Sequence, residues 1–302
     1  IKSRPLAGGG SFRPGPMAES WNPYDILPTI TQKTVEWISK QKKDQPFFAY
    51  LAFNSPHYPI VPNKPYHGKS KAGYYGDFVI ETDAMVGKVM EALEKHGFAD
   101  NTLVVFSADN GPENHAFERL EKFKQWSSGK YRGVKRDVYE GGHRVPFFIR
   151  WPAKVKAGST WDEPVCQTDL LATFAEMVGA KLPPDAGEDS DSFYMSLLGR
   201  KRGLSRLPMI HHASSGRFAI RDGQWKLVMP HARSRAELYD LSTDPSEKKD
   251  LAKAHPEIVN RLTESITRVV LLGRSTSGPK QSNDTPAWPD LVWMKSASKP
   301  KR

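Results

Sequence analysis

Leu103-Val104-Val105-Phe106-Ser107-Ala108-Asp109-Asn110-Gly111-Pro112 joins an apolar run to a polar turn. The run is apolar on both alternations, as a strand covered on two faces must be. Phe47-Phe48-Ala49-Tyr50-Leu51-Ala52-Phe53 repeats the pattern and ends at Asn54-Ser55-Pro56-His57. A third run, Val145-Pro146-Phe147-Phe148-Ile149, follows Gly141-Gly142. Between these runs, helical spacing covers residues 29–43, residues from Tyr75 to a stop at His96-Gly97, and residues 167–178. This order predicts an α/β fold with a mostly parallel sheet flanked by helices.

Past Pro183-Pro184 and the acidic stretch 188–191 the texture changes. Phe218-Ala219-Ile220-Arg221 and Trp225-Lys226-Leu227-Val228 flank Asp222-Gly223, a strong hairpin signal because both turn positions accept positive φ. Glu237-Leu238-Tyr239-Asp240-Leu241 adds a strand, and apolar residues at Val259, Leu262, Ile266 and Val269 predict a closing helix. The second part therefore reads as a small antiparallel sheet with one helix. The boundary is expected near residue 205, giving domains 1–204 and 205–302.

The chain has 302 residues, enough for two cores, with 38% hydrophobic content. No run approaches the roughly 18 apolar residues of a membrane span, and the mean hydropathy is −0.58. The net charge of +10 suits nucleic acid, an acidic surface or a small anionic substrate. Dispersed basic residues without a recognition motif place nucleic acid last. The single cysteine, Cys166, excludes an intrachain disulfide framework and a Cys-rich metal site. The chain opens on Ile1 without a signal-peptide pattern, so it is expected to begin inside a longer gene product. Gly8-Gly9-Gly10 and Lys299-Pro300-Lys301-Arg302 read as mobile ends.

In open parallel sheets, ligands bind beyond the carboxyl ends of the strands. Asp109 and Asn110 stand there with hard oxygen donors that suit Ca²⁺ or Mg²⁺. Asp-Asn-Gly-Pro is equally good turn chemistry, and on pattern alone the turn is the simpler reading. His57 ends the other strand between Pro56 and Pro59. It could serve an oxyanion as proton or hydrogen-bond donor; a lone histidine after a strand is more often structural. Lys135, within the glycine-bounded segment 133–142, could pair with sulfate or phosphate. Loop lysines are usually just solvated.

In combination, Phe53-Asn54-Ser55-Pro56-His57, Ser107 to Pro112, and Lys135 to Pro146 closely resemble the arylsulfatase-type sulfatases of the alkaline-phosphatase-like superfamily. Ala219 to Leu227, Glu237 to Leu241, Asp244-Pro245 with Glu247, and Leu272 to Thr276 look like the C-terminal subdomain of the same proteins. The resemblance implies hydrolysis of sulfate monoesters. It implies that Asp109 and Asn110 help hold one divalent cation, Ca²⁺ with Mg²⁺ as an alternative. It assigns His57 to the sulfate and leaving-group region and Lys135 to the sulfate and the nucleophile. His211 or His212 could contact the leaving group; a pair of strand-edge histidines is the plainer alternative. Trp126, Tyr131 and Arg132 could line a sugar or aryl subsite. Such enzymes are typically exported, which implies a periplasmic or extracellular location.

The family's nucleophile is a formylglycine made from the first residue of Cys/Ser-x-Pro-x-Arg, and no such motif stands upstream of His57; the one literal match, Ser298-Lys299-Pro300-Lys301-Arg302, is the basic C-terminus, downstream of every other site motif. Cys166 is followed by Gln167-Thr168-Asp169-Leu170, and the near matches at Ser3-Arg4-Pro5 and Ser277-Gly278-Pro279 lack the arginine. An adjacent Asp-Asp pair and the Lys-x-His segment that normally follows the nucleophile are missing too; Lys253-Ala254-His255 lies far downstream. All three losses fall in one upstream region, so the expectation is the downstream portion of a sulfatase, inactive by itself. A sheet lacking its first strands would expose an apolar edge, making a separate upstream fragment a candidate partner. The other partners implied are a sulfated small molecule or glycan. Two alternatives stand beside this reading: a phosphatase or phosphonate monoester hydrolase of the same superfamily, and a non-catalytic binder of sulfated glycans.

Overall fold

The computed structural model describes residues 15–200, 206–282 and 290–297. In chain order the elements are α1 (Ile26–Ile38), α2 (Gly73–Lys95), β1 (Val104–Ser107), α3 (His115–Phe123), α4 (Glu140–His143), β2 (Phe147–Arg150), α5 (Asp169–Met177), α6 (Tyr194–Leu197), β3 (Met209–His212), β4 (Phe218–Asp222), β5 (Trp225–Val228), β6 (Glu237–Asp240), α7 (Pro256–Leu272) and α8 (Val292–Ala297). The chain divides into two compact units, one built mainly on residues 1–104 and the other mainly on 127–149 and 154–302. The expected boundary near residue 205, the N-terminal glycines, the Ser3 near match and the basic C-terminus all lie outside the described residues.

In the first unit α1 packs on α2. Leu27, Ile60, Val61, Phe78 and Met85 form one cluster, and Ile38, Ala92 and Leu93 another. Two acids on α2 are buried among these apolar residues, and each is satisfied by loop backbone. Asp77 accepts from the Gly68 and Ser70 amides at 2.9 and 2.8 Å, and Glu81 accepts from the Asn63 amide and side chain, both at 2.7 Å. Buried carboxylates are tolerable only with such partners. Their effect is to fix the loop that follows His57.

Residues 47–53 do not form the expected strand: they carry no regular structure and join no ladder among the described residues. Phe47 packs on Trp37 and Phe98, while Phe48 and Tyr50 are 73% and 86% exposed. Phe47, Leu51 and Phe53 are partly covered, whereas Phe48, Tyr50 and Ala52 on the other alternation are exposed. At β1 Phe106 is likewise exposed; among the described residues β1 pairs with β2 alone, so the expected sheet is represented there by two strands. Apolar alternation encodes burial, but a strand also needs a neighbour to bond.

The second unit contains a four-stranded antiparallel sheet in the order β3-β4-β5-β6. The hairpin forms, but its turn lies one residue later than expected: Asp222 ends β4 paired with Trp225, leaving Gly223-Gln224 as the turn, and of the expected pair only Gly223 has positive φ, +57°. Ile220, Leu227 and Leu238 face α7, meeting Leu262 and Ile266. Ala219, Val228 and Tyr239 occupy the other face with Val138 and Leu241. That second face carries charge as well as apolar side chains, and it supports the loops described next.

Candidate active site

Asp109 and Asn110 leave β1 on an exposed turn, and Asn110 Nδ2 donates to the Gly111 carbonyl at 2.9 Å. With its amide nitrogen so engaged, the Asn110 carbonyl oxygen points elsewhere as an acceptor. Three loops then meet backbone to backbone. The Gly111 amide donates to the Gly142 carbonyl at 3.0 Å, the Lys135 amide to Pro112 at 2.7 Å, and the Gly141 amide to Arg132 at 2.7 Å. Glycine is required at these crossings. A Cβ on Gly111 would overlap the Gly141 carbonyl oxygen, one on Gly141 would overlap that of Gly133, and one on Gly142 that of Asp137. The structure thus joins the Asp109–Asn110 turn to the Lys135 loop through the Pro112 bond and to α4 through the glycine-dependent contact at Gly111. Lys135 is partly buried, its ammonium 4.0 Å from Glu113 Oε2.

His57 belongs to the other unit and is exposed; its Nδ1–H donates to the Tyr58 carbonyl at 2.5 Å. Neighbouring His211 and His212 separate onto opposite faces of the sheet. His212 stacks on Phe218 at 4.2 Å between centroids, on the side of Trp293. His211 faces the loop cluster, its ring 4.7 Å from that of His143.

Beneath the loops lies a charge cluster that sequence reading did not find. Lys226, fully buried on β5, sits 3.0 Å from Glu140 Oε1 and 3.0 Å from Glu247 Oε1. Arg221 adds a 3.2 Å contact to Glu140 Oε2, and Glu247 Oε2 accepts from the Glu140 amide at 2.7 Å. Burial pushes the Glu140 carboxyl up, but Lys226 and Arg221 outweigh it and hold the group below the usual carboxylate range. At Glu247 burial outweighs Lys226 and keeps the carboxyl above that range. This cluster pins α4, and with it Gly141 and Gly142, to the antiparallel sheet. Tyr139 is fixed likewise, donating to Glu237 at 2.9 Å with the Arg132 guanidinium 3.6 Å over its ring.

His143 and His211 are both pushed down, mainly by burial and then by Lys226; His143 falls to about 4. The sign follows directly. An imidazole that protonates more readily when unfolded stabilises the fold fully above about 6.5, and the contribution is lost as pH falls toward about 4. Denaturant titrations at pH 7 and pH 5 should show a loss of at most about 2 kcal/mol from His143. His143→Gln should flatten that dependence; an unchanged one would refute the assignment.

The sulfatase family model matches residues 15–180, more than half of the chain. The chain belongs to the sulfatase family. The C-terminal model of N-sulphoglucosamine sulphohydrolase also matches, over residues 132–270. This sulfatase-family chain is 37% identical over 269 residues to an N-acetylgalactosamine-6-O-sulfatase of Bacteroides thetaiotaomicron, covering 82% of the chain and 52% of the relative. It is 34% identical to human arylsulfatase A, covering 80% and 52%. A solved structure from a B. thetaiotaomicron locus for glycosaminoglycan metabolism superposes with a TM-score of 0.75 at 37% identity, over 82% of this chain and 55% of that one. A second, determined with a neocarrahexaose, gives 0.71 at 27% identity over 90% and 60%. The chain spans about half the length of the curated relatives it matches. Its α/β sulfatase fold follows from these superpositions.

Among the described residues no cluster of three or more His, Cys, Asp or Glu could hold a metal by itself. The oxygen chemistry of Asp109 and Asn110 fits a hard divalent cation, but two ligands are fewer than the six to eight that Ca²⁺ takes. They fit as part of a shell.

Proposed function

We propose that this chain carries the downstream half of the machinery of a sulfuric ester hydrolase acting on sulfated glycans. The observation that supports it most is the contact of Gly111 with Gly142, which brings an acidic and amide oxygen pair and a lysine to one loop cluster in a sulfatase-family chain. Asp109 and Asn110 would supply two oxygens to a divalent cation, Ca²⁺ in our reading. Such a cation neutralises sulfate oxygens. Lys135 would bind the sulfate as a point charge, favouring the tetrahedral anion through pre-set electrostatics. His57 would donate a hydrogen bond or a proton on the leaving-group side. Of the two adjacent histidines, His211 is the one whose strand face suits a role near the leaving group. We read the sheet of the whole fold as mostly parallel, and the protein as periplasmic or extracellular. The names of the relatives support sulfated sugars as the substrate class.

No Cys/Ser-x-Pro-x-Arg precedes His57, and the one match, at Ser298 to Arg302, lies downstream of every other site motif, so the purified chain should leave an aryl sulfate intact. Chelator-sensitive release of the phenol above a blank would contradict this. Binding tests the reading independently of turnover. N-acetylgalactosamine 6-sulfate should bind in the presence of Ca²⁺, and Lys135→Ala should weaken it about tenfold or more. Equal affinity in the variant would refute the role of Lys135.

A further inference from the structure

Lys135 and Arg136 are consecutive, yet both reach the same carboxylate. Arg136 Nη1 bonds Glu113 Oε1, and Lys135 Nζ lies 4.0 Å from Glu113 Oε2. In extended backbone, successive side chains point to opposite sides. Here Arg136 adopts φ +79°, a left-handed conformation that costs a non-glycine residue about 1–2 kcal/mol. The strained turn is held from both sides. The Lys135 amide donates to Pro112 at 2.7 Å, and the Arg136 carbonyl accepts from the Ser214 amide at 3.2 Å. Glu113 is itself oriented, its Oε1 accepting from the Asn114 amide at 3.2 Å. The hydrogen bond from Arg136 keeps the Glu113 carboxyl below the usual range, so it is a full negative charge beside a lysine read as an anion ligand.

A bare carboxylate there would oppose sulfate, since like charges close together are repulsive. We propose that Glu113 is the positioning residue for Lys135. One carboxylate oxygen steadies the ammonium beside the Asp109–Asn110 turn, while Arg136 takes the other and cancels the charge that would repel the substrate. This rests on the sulfate-binding reading of Lys135 and adds two residues to it. Arg136 acts through Glu113, and Glu113 through Lys135; neither need touch the substrate.

The test is acetylation of Lys135 by acetic anhydride in the intact chain, followed by mass spectrometry with and without inorganic sulfate, with Lys248 as the internal control. Glu113→Gln should raise the Lys135 rate about threefold, releasing the amine from its carboxylate. Arg136→Gln should lower that rate, because the carboxylate then turns wholly to Lys135. It should also raise the sulfate concentration for half-protection about tenfold. Adding Glu113→Gln to Arg136→Gln should bring half-protection to within about twofold of Glu113→Gln alone, a non-additivity that a merely structural role would not produce. Unchanged Lys135 rates in both single variants, or independent effects in the double variant, would overturn the proposal. If sulfate protects Lys135 in no form of the protein, the sulfate reading falls. The anhydride rates still decide whether Glu113 holds the lysine.

Discussion

Gly111→Ala should unseat the Asp109–Asn110 turn from α4 and abolish any joint action with Lys135. The added methyl would overlap the Gly141 carbonyl oxygen and lie 2.9 Å from the Gly141 carbonyl carbon. Both are backbone atoms, so no side-chain rotation relieves the clash. Gly141 and Gly142 cannot retreat, because they in turn abut the carbonyls of Gly133 and Asp137. Overpacking in well-packed interiors costs about 1–3 kcal/mol, and a backbone-on-backbone clash belongs at the upper end. Part of that cost would be relieved by swinging the turn outward, breaking the 3.0 Å bond from Gly111 to Gly142. Denaturant melts should therefore show a loss of about 2–3 kcal/mol, and sulfated-sugar binding should weaken with it. Gly158→Ala is the control. Nothing lies near its Cβ position, and its left-handed backbone at φ +71° predicts a cost of about 1 kcal/mol with binding retained. If Gly111→Ala bound the sugar as well as the unaltered chain, the interlocked glycines would not be what assembles the site.

Lys226→Met should be the most destabilising single change in the second unit. It removes the ammonium that lies 3.0 Å from both Glu140 and Glu247, leaving two acids that are themselves buried. Deleting one partner of a buried ion pair typically costs about 3–5 kcal/mol, because the remaining charge is uncompensated. Glu247 softens the penalty, since its carboxyl is already pushed up by burial and takes a proton more readily than Glu140. The loss should shrink at low pH, where both acids become neutral. Replacing all three groups together, as Lys226→Met with Glu140→Gln and Glu247→Gln, should recover much of the stability. Thermal melting of the single and triple variants at pH 7 and pH 5 checks this. A single variant as stable as the parent would mean that the cluster does not hold α4 in place.

Lys226 also shows where the sequence misleads. In Trp225-Lys226-Leu227-Val228 a lysine at an alternating position reads as the solvent face of a strand, yet its partner Glu140 stands 86 residues earlier. Short-range patterns carry no trace of such a pair. The hairpin was legible because Gly223 supplies its turn chemistry locally, although the turn falls one residue later than expected, and so was α7, whose apolar spacing needs only its own turns. Residues 47–53 failed for the opposite reason. Their apolar alternation is genuine, but a strand requires a second chain segment to bond, and the described residues give them none. At the site, residue type and motif single out Asp109, Asn110 and Lys135, and the bond from the Lys135 amide to Pro112 brings their loops together. The pairing of Gly111 with Gly142, the convergence on Glu113 and the His143–His211 contact depend on packing between distant loops.

The cation is the most direct point of attack, because it needs no turnover. Amide and side-chain resonances of Asp109, Asn110 and Gly111 should be followed while the chain is titrated with Ca²⁺. The account predicts shifts confined to that turn and its neighbours at Gly142, with millimolar affinity befitting two protein oxygens. It predicts their disappearance in Asp109→Ala, and subsequent shifts at Lys135 when sulfate is added. Resonances of 109–111 that stay fixed at saturating Ca²⁺, or that move equally in Asp109→Ala, would contradict it.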